Sequence, residues 1–470
     1  MIHISITGLN CKPLWLLQRF AIIILLVGLT GCEDFVQVDL PTSQLPADAV
    51  FEDRVTANAA MANIYADMRD TGLLNGGMTG MSYLLGNYAD ELQFFGGASG
   101  AAWEFQNNAV LPTNATAEGW WTSAYNQIYA ANAVIEGVAA SQALAAADRD
   151  QFTGEALFVR ALLHFYLLNI YSDIPYITTT DYRQNRLVGR MDTGQVYAAI
   201  VADLNAATGL LPEEYISSDR SRPNKYAALA MLARAYLYSG QWAEAADSAS
   251  AVLNNVALYP WQEDLSQEFI KESTSAIWHF SPRAAGINTL EGESFIFTEG
   301  PPPGSAVSEE LIAAFEPNDQ RRAQWIATIT GGATWYYPNK YKERLPTDTS
   351  VEHSIMLRLS ELYLIRAEAR VRQGDLISGK EDLDKVRIRA GLAPTPADTQ
   401  PELVEAILQE RRVELFTELG HRFFDLKRMG MLDQYLSPVK PGWDATEQLF
   451  PLPETELLLN PNLAPQNPGY

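Results

Sequence analysis

Apolar positions recur along most of this chain at intervals of three and four residues, the spacing of one face of an α-helix. Residues 51–70 carry Phe51, Val55, Ile64, Tyr65 and Met68 among alanines. Residues 120–138 place Trp121, Tyr125, Ile128, Tyr129, Ala133 and Val134 along one side. Residues 155–171 are apolar nearly all round, with Leu157, Phe158, Leu162, Leu163, Phe165, Tyr166 and Leu168, which predicts a centrally buried helix. Asp173-Ile174-Pro175 ends it, because the residue before proline avoids helical backbone. Arg160 and His164 lie on one face of this helix. A buried arginine needs a carboxylate, and Glu155 or an acid on an adjacent helix would serve.

Residues 225–253 have a tighter pattern. Leu232, Ala233, Tyr236, Gly240, Trp242 and Ala245 fall at the spacing of a tetratricopeptide pair, two helices joined at a glycine turn. The small residues at 233 and 245 allow close approach, and Tyr236 and Trp242 fill the angle. Residues 361–389 repeat the pattern more weakly, with Ala367, Gly374, Leu376 and Leu383 in equivalent places. The two copies are too far apart in sequence for a tandem array. The expected fold is therefore all-α, with helical pairs at about 51–260 and 346–430 embedded in one larger domain spanning 51–470.

Two stretches break the periodicity. Residues 71–118 contain Gly76-Gly77, Phe94-Phe95-Gly96-Gly97 and Trp103-Glu104-Phe105; residues 260–345 contain Pro301-Pro302-Pro303-Gly304, Gly331-Gly332 and Trp335-Tyr336-Tyr337-Pro338. Long loops inside a compact domain carry function or are disordered, and the aromatic content favours function. A sugar ring presents an apolar C–H face and a rim of hydroxyls, matched by an aromatic plate with amides or charged groups beside it. Trp103 with Gln106, Asn107 and Asn108 fits that recipe, as does Trp335-Tyr336-Tyr337 with Asn339 and Lys340. Asp90-Glu91 stand ready as acceptors. The candidate ligand contacts are Trp103, Asn107, Trp335, Tyr336, Tyr337 and Asp90, on the expectation that rings beside Gly and Pro sit in exposed loops.

The first residues set the compartment. Lys12 and Arg19 precede an uncharged apolar run at 20–29, too short for a membrane span of about 20 residues and suited to a secretory signal. It ends in Leu29-Thr30-Gly31-Cys32, similar to the lipobox of bacterial lipoproteins. Residues 1–31 are expected to be removed, leaving Cys32 as the lipidated first residue of an extended tether over 32–50. Two acyl chains give stable anchoring. Glu33-Asp34 resembles the surface-export signal of Bacteroidota lipoproteins. The only other cysteine, Cys11, leaves with the signal, so no disulfide and no thiolate metal site are expected. A net charge of −23 disfavours nucleic acid and anionic polymers and favours neutral ligands.

Catalytic and metal motifs are missing from the sequence. There is no G-x-S-x-G elbow, no phosphate loop, no HExxH and no EF-hand loop. The mature chain has four histidines, His164, His279, His353 and His421, with no close pair among them. No cofactor is expected, while a structural calcium held by scattered carboxylates stays open. A glycosidase needs two facing carboxylates, and nothing among 57 acidic residues selects a pair. Glu410-Arg411-Arg412-Val413-Glu414, followed by Arg422, Asp425 and Arg428, resembles a charged active centre. A structural ion-pair network is the better reading, since Glu410 and Glu414 stand i, i+4 on one helix.

The last third carries the most specific pattern. Thr399-Gln400-Pro401-Glu402 has capping-box spacing and opens a helix with Ile407-Leu408-Gln409-Glu410-Arg411-Arg412. Gly420-His421-Arg422-Phe423-Phe424-Asp425 follows, and the chain closes with Leu449-Phe450-Pro451-Leu452-Pro453-Glu454 and Asn467-Pro468-Gly469-Tyr470. Residues 399–470 resemble the C-terminal signature of SusD/RagB lipoproteins, and residues 121–135, 154–171 and 358–369 extend the likeness in the same order. The resemblance implies four tetratricopeptide-like helix pairs against a loop-rich ligand face at about 71–118 and 260–345. It implies capture of an oligosaccharide without catalysis and delivery to a SusC-like TonB-dependent outer-membrane transporter, over which the protein sits as a hinged lid. The rival readings are a protein-interaction scaffold using the helix pairs alone, a surface hydrolase, and capture of a non-sugar nutrient such as peptide. Against the scaffold, solenoids use consecutive repeats and these are dispersed.

Overall fold

The computed structural model describes residues 49–470, together with His3. The lipobox at Cys32 and residues 32–48 of the expected tether lie outside the described residues.

The chain runs through α1 (Arg54–Asp70), α2 (Met81–Tyr88), β1 (Leu92–Phe94), α3 (Ala101–Gln106), α4 (Ala115–Ala140), α5 (Ala146–Tyr171), α6 (Tyr182–Asn185), α7 (Thr193–Leu210), α8 (Lys225–Tyr238) and α9 (Trp242–Leu253). The middle segment holds β2 (Ala276–Phe280), α10 (Leu290–Phe295), β3 (Ser305–Val307), α11 (Glu309–Ala314), α12 (Gln320–Gln324), β4 (Ile326–Gly331), β5 (Ala333–Pro338) and β6 (Ser354–Arg358). The chain ends with α13 (Leu359–Arg372), α14 (Leu376–Arg389), α15 (Gln400–Glu414), α16 (His421–Arg428), α17 (Leu432–Leu436) and α18 (Glu454–Leu459). The fold is mostly α-helical, as the periodicity predicts, and its strands form three two-stranded antiparallel ribbons.

Helix starts follow the capping chemistry. Asp53, Asn114 and Asn224 each accept backbone N–H groups at the openings of α1, α4 and α8, satisfying donors that have no partner within the helix. Thr399 and Glu402 form the expected capping box on α15. α5 is buried all round from Gly154 to Tyr171. Its Arg160 forms a two-pronged pair with Asp203 on α7, at 2.7 Å for each hydrogen bond. Glu155 instead takes Arg222, at 2.5 and 2.7 Å. Two sequence assignments fall on the wrong face. Val55 is 75% exposed, because α1 buries the row Ala57, Met61, Ile64, Tyr65 and Met68. Tyr129 is 51% exposed, beside the buried Ile128.

Both tetratricopeptide-like pairs are present. α8 and α9 meet at Gly240 (φ +75°), and α13 and α14 at Gly374 (φ +89°), left-handed positions that favour glycine. α9 packs on α13, and α13 on α15. The pairs that are far apart in sequence are therefore neighbours in space, and the 254–358 segment is an excursion between them.

The acidic and basic residues of α15 and α16 build a buried network. Glu414 meets Arg321 at 3.0 Å and Arg358 at 2.6 Å, and also pairs with Arg389. Burial alone would raise its carboxyl, but Arg389, Arg358 and Arg321 hold it well below the usual range. Glu410 pairs with Arg321 and Arg387, and Asp425 with Arg411 and Arg428. These groups are structural, and their partners come largely from other elements rather than from the i, i+4 positions.

Pairing of β2 with β6 also brings His279 and His353 together, Nδ1 to Nδ1 at 3.2 Å. The two lie 74 residues apart in sequence, so only the strand pairing makes them neighbours. Among the described residues no group of three or more His, Cys, Asp or Glu gathers at a spacing that could hold a metal.

Candidate functional site

The two aromatic stretches converge through a small ribbon. β1 pairs with β3, Phe94 opposite Ser305, and the Phe95 N–H continues the ladder to the Gly304 carbonyl at 2.9 Å. α2 supports this ribbon from beneath. The Ser305 N–H donates to the Tyr83 hydroxyl at 2.8 Å, Ser305 Oγ donates to Asn87, and the Tyr83 ring stacks on Phe295. β3 in turn packs against β5, the second strand of a hairpin that turns at Gly332 (φ +80°).

Strand alternation then sorts the aromatics of β5. Trp335 and Tyr337 share one face. The Trp335 indole stands edge-on to Phe95 at 4.7 Å, and Tyr337 lies 5.2 Å from Phe297. Trp335 is seated on Gly300, where an added Cβ would come within 2.3 Å of the indole. Tyr336 points to the other face, and the Arg322 guanidinium lies 4.7 Å from its ring. All three β5 rings are part-exposed, so each offers some surface to a ligand. Burial raises the Tyr337 hydroxyl above its ordinary range, which keeps it a neutral donor and acceptor.

Trp103 lies not in a loop but on α3, 37% exposed, and Asn107 caps that helix, its amide donating to the Trp103 carbonyl at 2.7 Å. α3 is joined to the ribbon by Gln106, whose Oε1 accepts the Phe94 N–H at 3.3 Å. Trp103 and Asn107 thus sit beside the β1 strand that leads into Phe95. No aromatic contact links Trp103 to Trp335 among the described residues.

Three candidates belong to the interior. Asp90 is 4% exposed and takes both prongs of Arg422 at 2.8 Å and Arg412 at 2.7 Å. Burial raises its carboxyl, and Arg422 and Arg412 outweigh that and hold it low. It ties the first aromatic stretch to α15 and α16 and is not presented to a ligand. Glu91 is buried too and is pushed up to about 8 by burial first and by the Asp90 charge second. Lys340 is also buried, donating to the Glu414 and Phe416 carbonyls at 2.9 and 2.8 Å and pairing with Glu418.

Phe95 and Phe297 join the face without being among the candidates that the sequence offers. Phe95 carried a usable signal, an aromatic followed by Gly96-Gly97. The packing of Phe297 under Tyr337 has no local signature.

Comparison with known proteins supplies the family. Residues 40–237 match a family model described as starch-binding associating with outer membrane, and residues 307–470 match the SusD family model. The chain belongs to the SusD/RagB family. It is 27% identical to SusD-like protein P2 of Formosa agariphila, over 96% of this chain and 99% of that one. A solved laminarin-binding SusD-like protein superimposes with TM-score 0.74 at 26% identity, covering 88% of this chain and 99% of its own. A SusD superfamily protein from Bacteroides vulgatus shares the fold, with TM-score 0.75 at 21% identity, over 89% of this chain and 100% of that one. Both family matches include part of the aromatic face: Trp103 and Phe95 fall in the first and the β5 rings in the second. Among the described residues of this SusD/RagB chain no helix is long and apolar enough to cross a membrane.

Proposed function

We propose that this protein is a cell-surface, non-catalytic capture protein. Lipidated at Cys32, it would bind a neutral oligosaccharide on the Phe95–Trp335–Tyr337 face and pass it to a SusC-like TonB-dependent transporter. One observation carries the reading. Two stretches more than 200 residues apart in sequence meet at an aromatic face where Trp335 is braced edge-on by Phe95 and Tyr337 by a tilted Phe297, with Phe95, Trp335 and Tyr337 left part-exposed. Such rings cover the C–H faces of a pyranose, while Asn107 beside Trp103 offers an amide to its hydroxyl rim. The description of the first family model and the ligand of the laminarin-binding relative both support a glycan. Membership of the family supports the transporter partnership.

Isothermal titration with laminarihexaose and maltoheptaose tests the assignment. Trp335→Ala or Trp103→Ala weakens binding by more than about tenfold, equivalent to about 1.4 kcal/mol, with the melting temperature little changed. Undiminished affinity in both variants would move the site elsewhere.

The stacking of α9 on α13 favours a second reading, because it makes the separated helix pairs contiguous as in a protein-binding solenoid. Glycan binding by the purified protein without any partner decides for capture.

A further inference from the structure

A second aromatic surface shares no residue with the face described above. A cleft of about 430 Å3 opens between α4, the segment around α6, and α18 with the turn after it. Its floor is the ridge Trp121, Tyr125 and Tyr129, spaced four residues apart along α4. Trp121 is buried, with its ring 4.8 Å from that of Tyr125, whose hydroxyl donates to the Pro175 carbonyl at 2.8 Å.

The outer rings behave differently. Tyr129 is 51% exposed and Tyr182 on α6 is 68% exposed. Neither stacks on another ring among the described residues; the Arg183 guanidinium lies 5.9 Å from the Tyr182 ring centre. Rings serving only as core filler would be covered as Trp121 is. Asn126, Arg186 and Glu456 are among the polar groups that line the same cleft. Burial and the neighbouring Glu118 charge raise the Glu456 carboxyl, and the Trp121 side chain opposes them. The paired presence of Arg186 and Glu456 leaves the cleft without a dominant charge, which suits a neutral ligand better than an ion.

The walls are fixed before any ligand arrives. Asn132 holds the Ile177 carbonyl at 3.1 Å, Asn185 the Thr179 carbonyl at 2.7 Å, and Asn460 the Val188 carbonyl at 2.8 Å. Glu136 accepts the Thr180 N–H at 2.9 Å, and Thr455 donates to Glu118 at 2.6 Å. A braced cleft loses little freedom on binding, and its volume lies at the lower end of the about 300–1,000 Å3 typical of ligand sites.

We propose that this cleft is a second carbohydrate site, in which Tyr129 and Tyr182 stack on the rings of a neutral oligosaccharide end and Asn126, Arg186 and Glu456 bind its hydroxyls. The inference rests on reading the protein as glycan-binding. Its function would be to hold the far end of a chain whose other part occupies the Trp335 face, or a second chain, raising retention through two linked contacts.

The test uses the purified lipoprotein in detergent, titrated with laminarihexaose and maltoheptaose. Wild type is compared with Tyr129→Ala/Tyr182→Ala, Tyr129→Phe/Tyr182→Phe and Trp335→Ala. The double alanine variant should lose one class of site, or about tenfold or more in affinity, while the phenylalanine pair retains it. Both tyrosines are exposed, so circular dichroism melts should coincide. Binding unchanged in the double alanine variant but lost in Trp335→Ala overturns this proposal and leaves the capture function standing. Equal loss in the phenylalanine and alanine pairs overturns the stacking account. No binding of either sugar by wild type overturns both this site and the capture reading.

Discussion

His164 offers a test of how the buried polar groups of α5 are set. Its Nδ1–H donates to the Arg160 carbonyl at 2.8 Å, and its Nε2 accepts the Ile177 N–H at 3.1 Å. The ring is fully buried and stacks on Tyr176 at 3.9 Å. A second proton would have to sit on Nε2, against the Ile177 N–H, in a site already shared with the Arg160 charge. Burial first, and Arg160 after it, lower His164 to about 3, while the Arg160 carbonyl pulls the other way. In the unfolded chain the imidazole titrates near about 6.5. Between those values the unfolded chain binds the proton and the folded one does not, so stability falls as the pH drops through that window. At pH 5 the loss from this one group is about 2 kcal/mol relative to pH above 7, and it hardly depends on the folded value provided that lies below about 4. His164→Gln keeps an acceptor for the Ile177 N–H but cannot titrate. The variant should be less stable than wild type at pH 7.5 by about 1–2 kcal/mol, and the gap should close by about 2 kcal/mol at pH 5. Urea denaturation at both pH values reads this directly. The other buried histidines are common to both proteins and cancel in the difference. Parallel pH curves would refute the account.

Other perturbations probe the site and its foundation. Gly300→Ala places a methyl within 2.3 Å of the Trp335 indole; it should mimic Trp335→Ala in titrations while leaving the melting temperature within a few degrees. Glu414→Gln keeps the volume but leaves Arg321, Arg358 and Arg389 facing a neutral amide. Breaking a buried pair in this way costs about 3–5 kcal/mol, and a urea midpoint matching wild type would remove the network from the stabilising core. The losses expected for Trp103→Ala and Trp335→Ala differ from these in sparing stability, because both rings are part-exposed.

What the sequence made legible was whatever depends on neighbours along the chain. The turns at Gly240 and Gly374, the capping box at Thr399, and the all-round burial of α5 follow from local spacing and backbone preference. The aromatic face was half legible: Trp335-Tyr336-Tyr337 stood out, yet their sorting into two faces required the β4–β5 hairpin, which the periodicity of residues 260–345 did not predict. Trp103 resembles a loop residue in sequence because α3 is only six residues long and is flanked by glycine and asparagine. Asp90 and Lys340 are ambiguous in sequence for a different reason. An acid or a lysine beside an aromatic cluster has the same local signature whether it faces a ligand or an arginine from a distant helix. The partners of Asp90 are 322 and 332 residues away.

Those distant partners also hold the aromatic face in place. Asp90 and Lys340 flank the aromatic face in sequence, one before β1 and the other after β5, and each is sunk into the α15–α16 region by charge-assisted hydrogen bonds. The two ribbons are thus pinned at their roots while their tips, Gly96-Gly97 and Gly331-Gly332, are free of close packing partners except where Phe94 folds back over Gly96. A loss of charge at the root breaks bonds to the helical body, whereas a change at the tip meets open space. Substitutions at the exposed rings should therefore leave the helical body undisturbed, which the melting temperatures of the Trp335 and Trp103 variants check. The relatives share this scaffold at about 21–27% identity, so the helical body tolerates wide change in sequence.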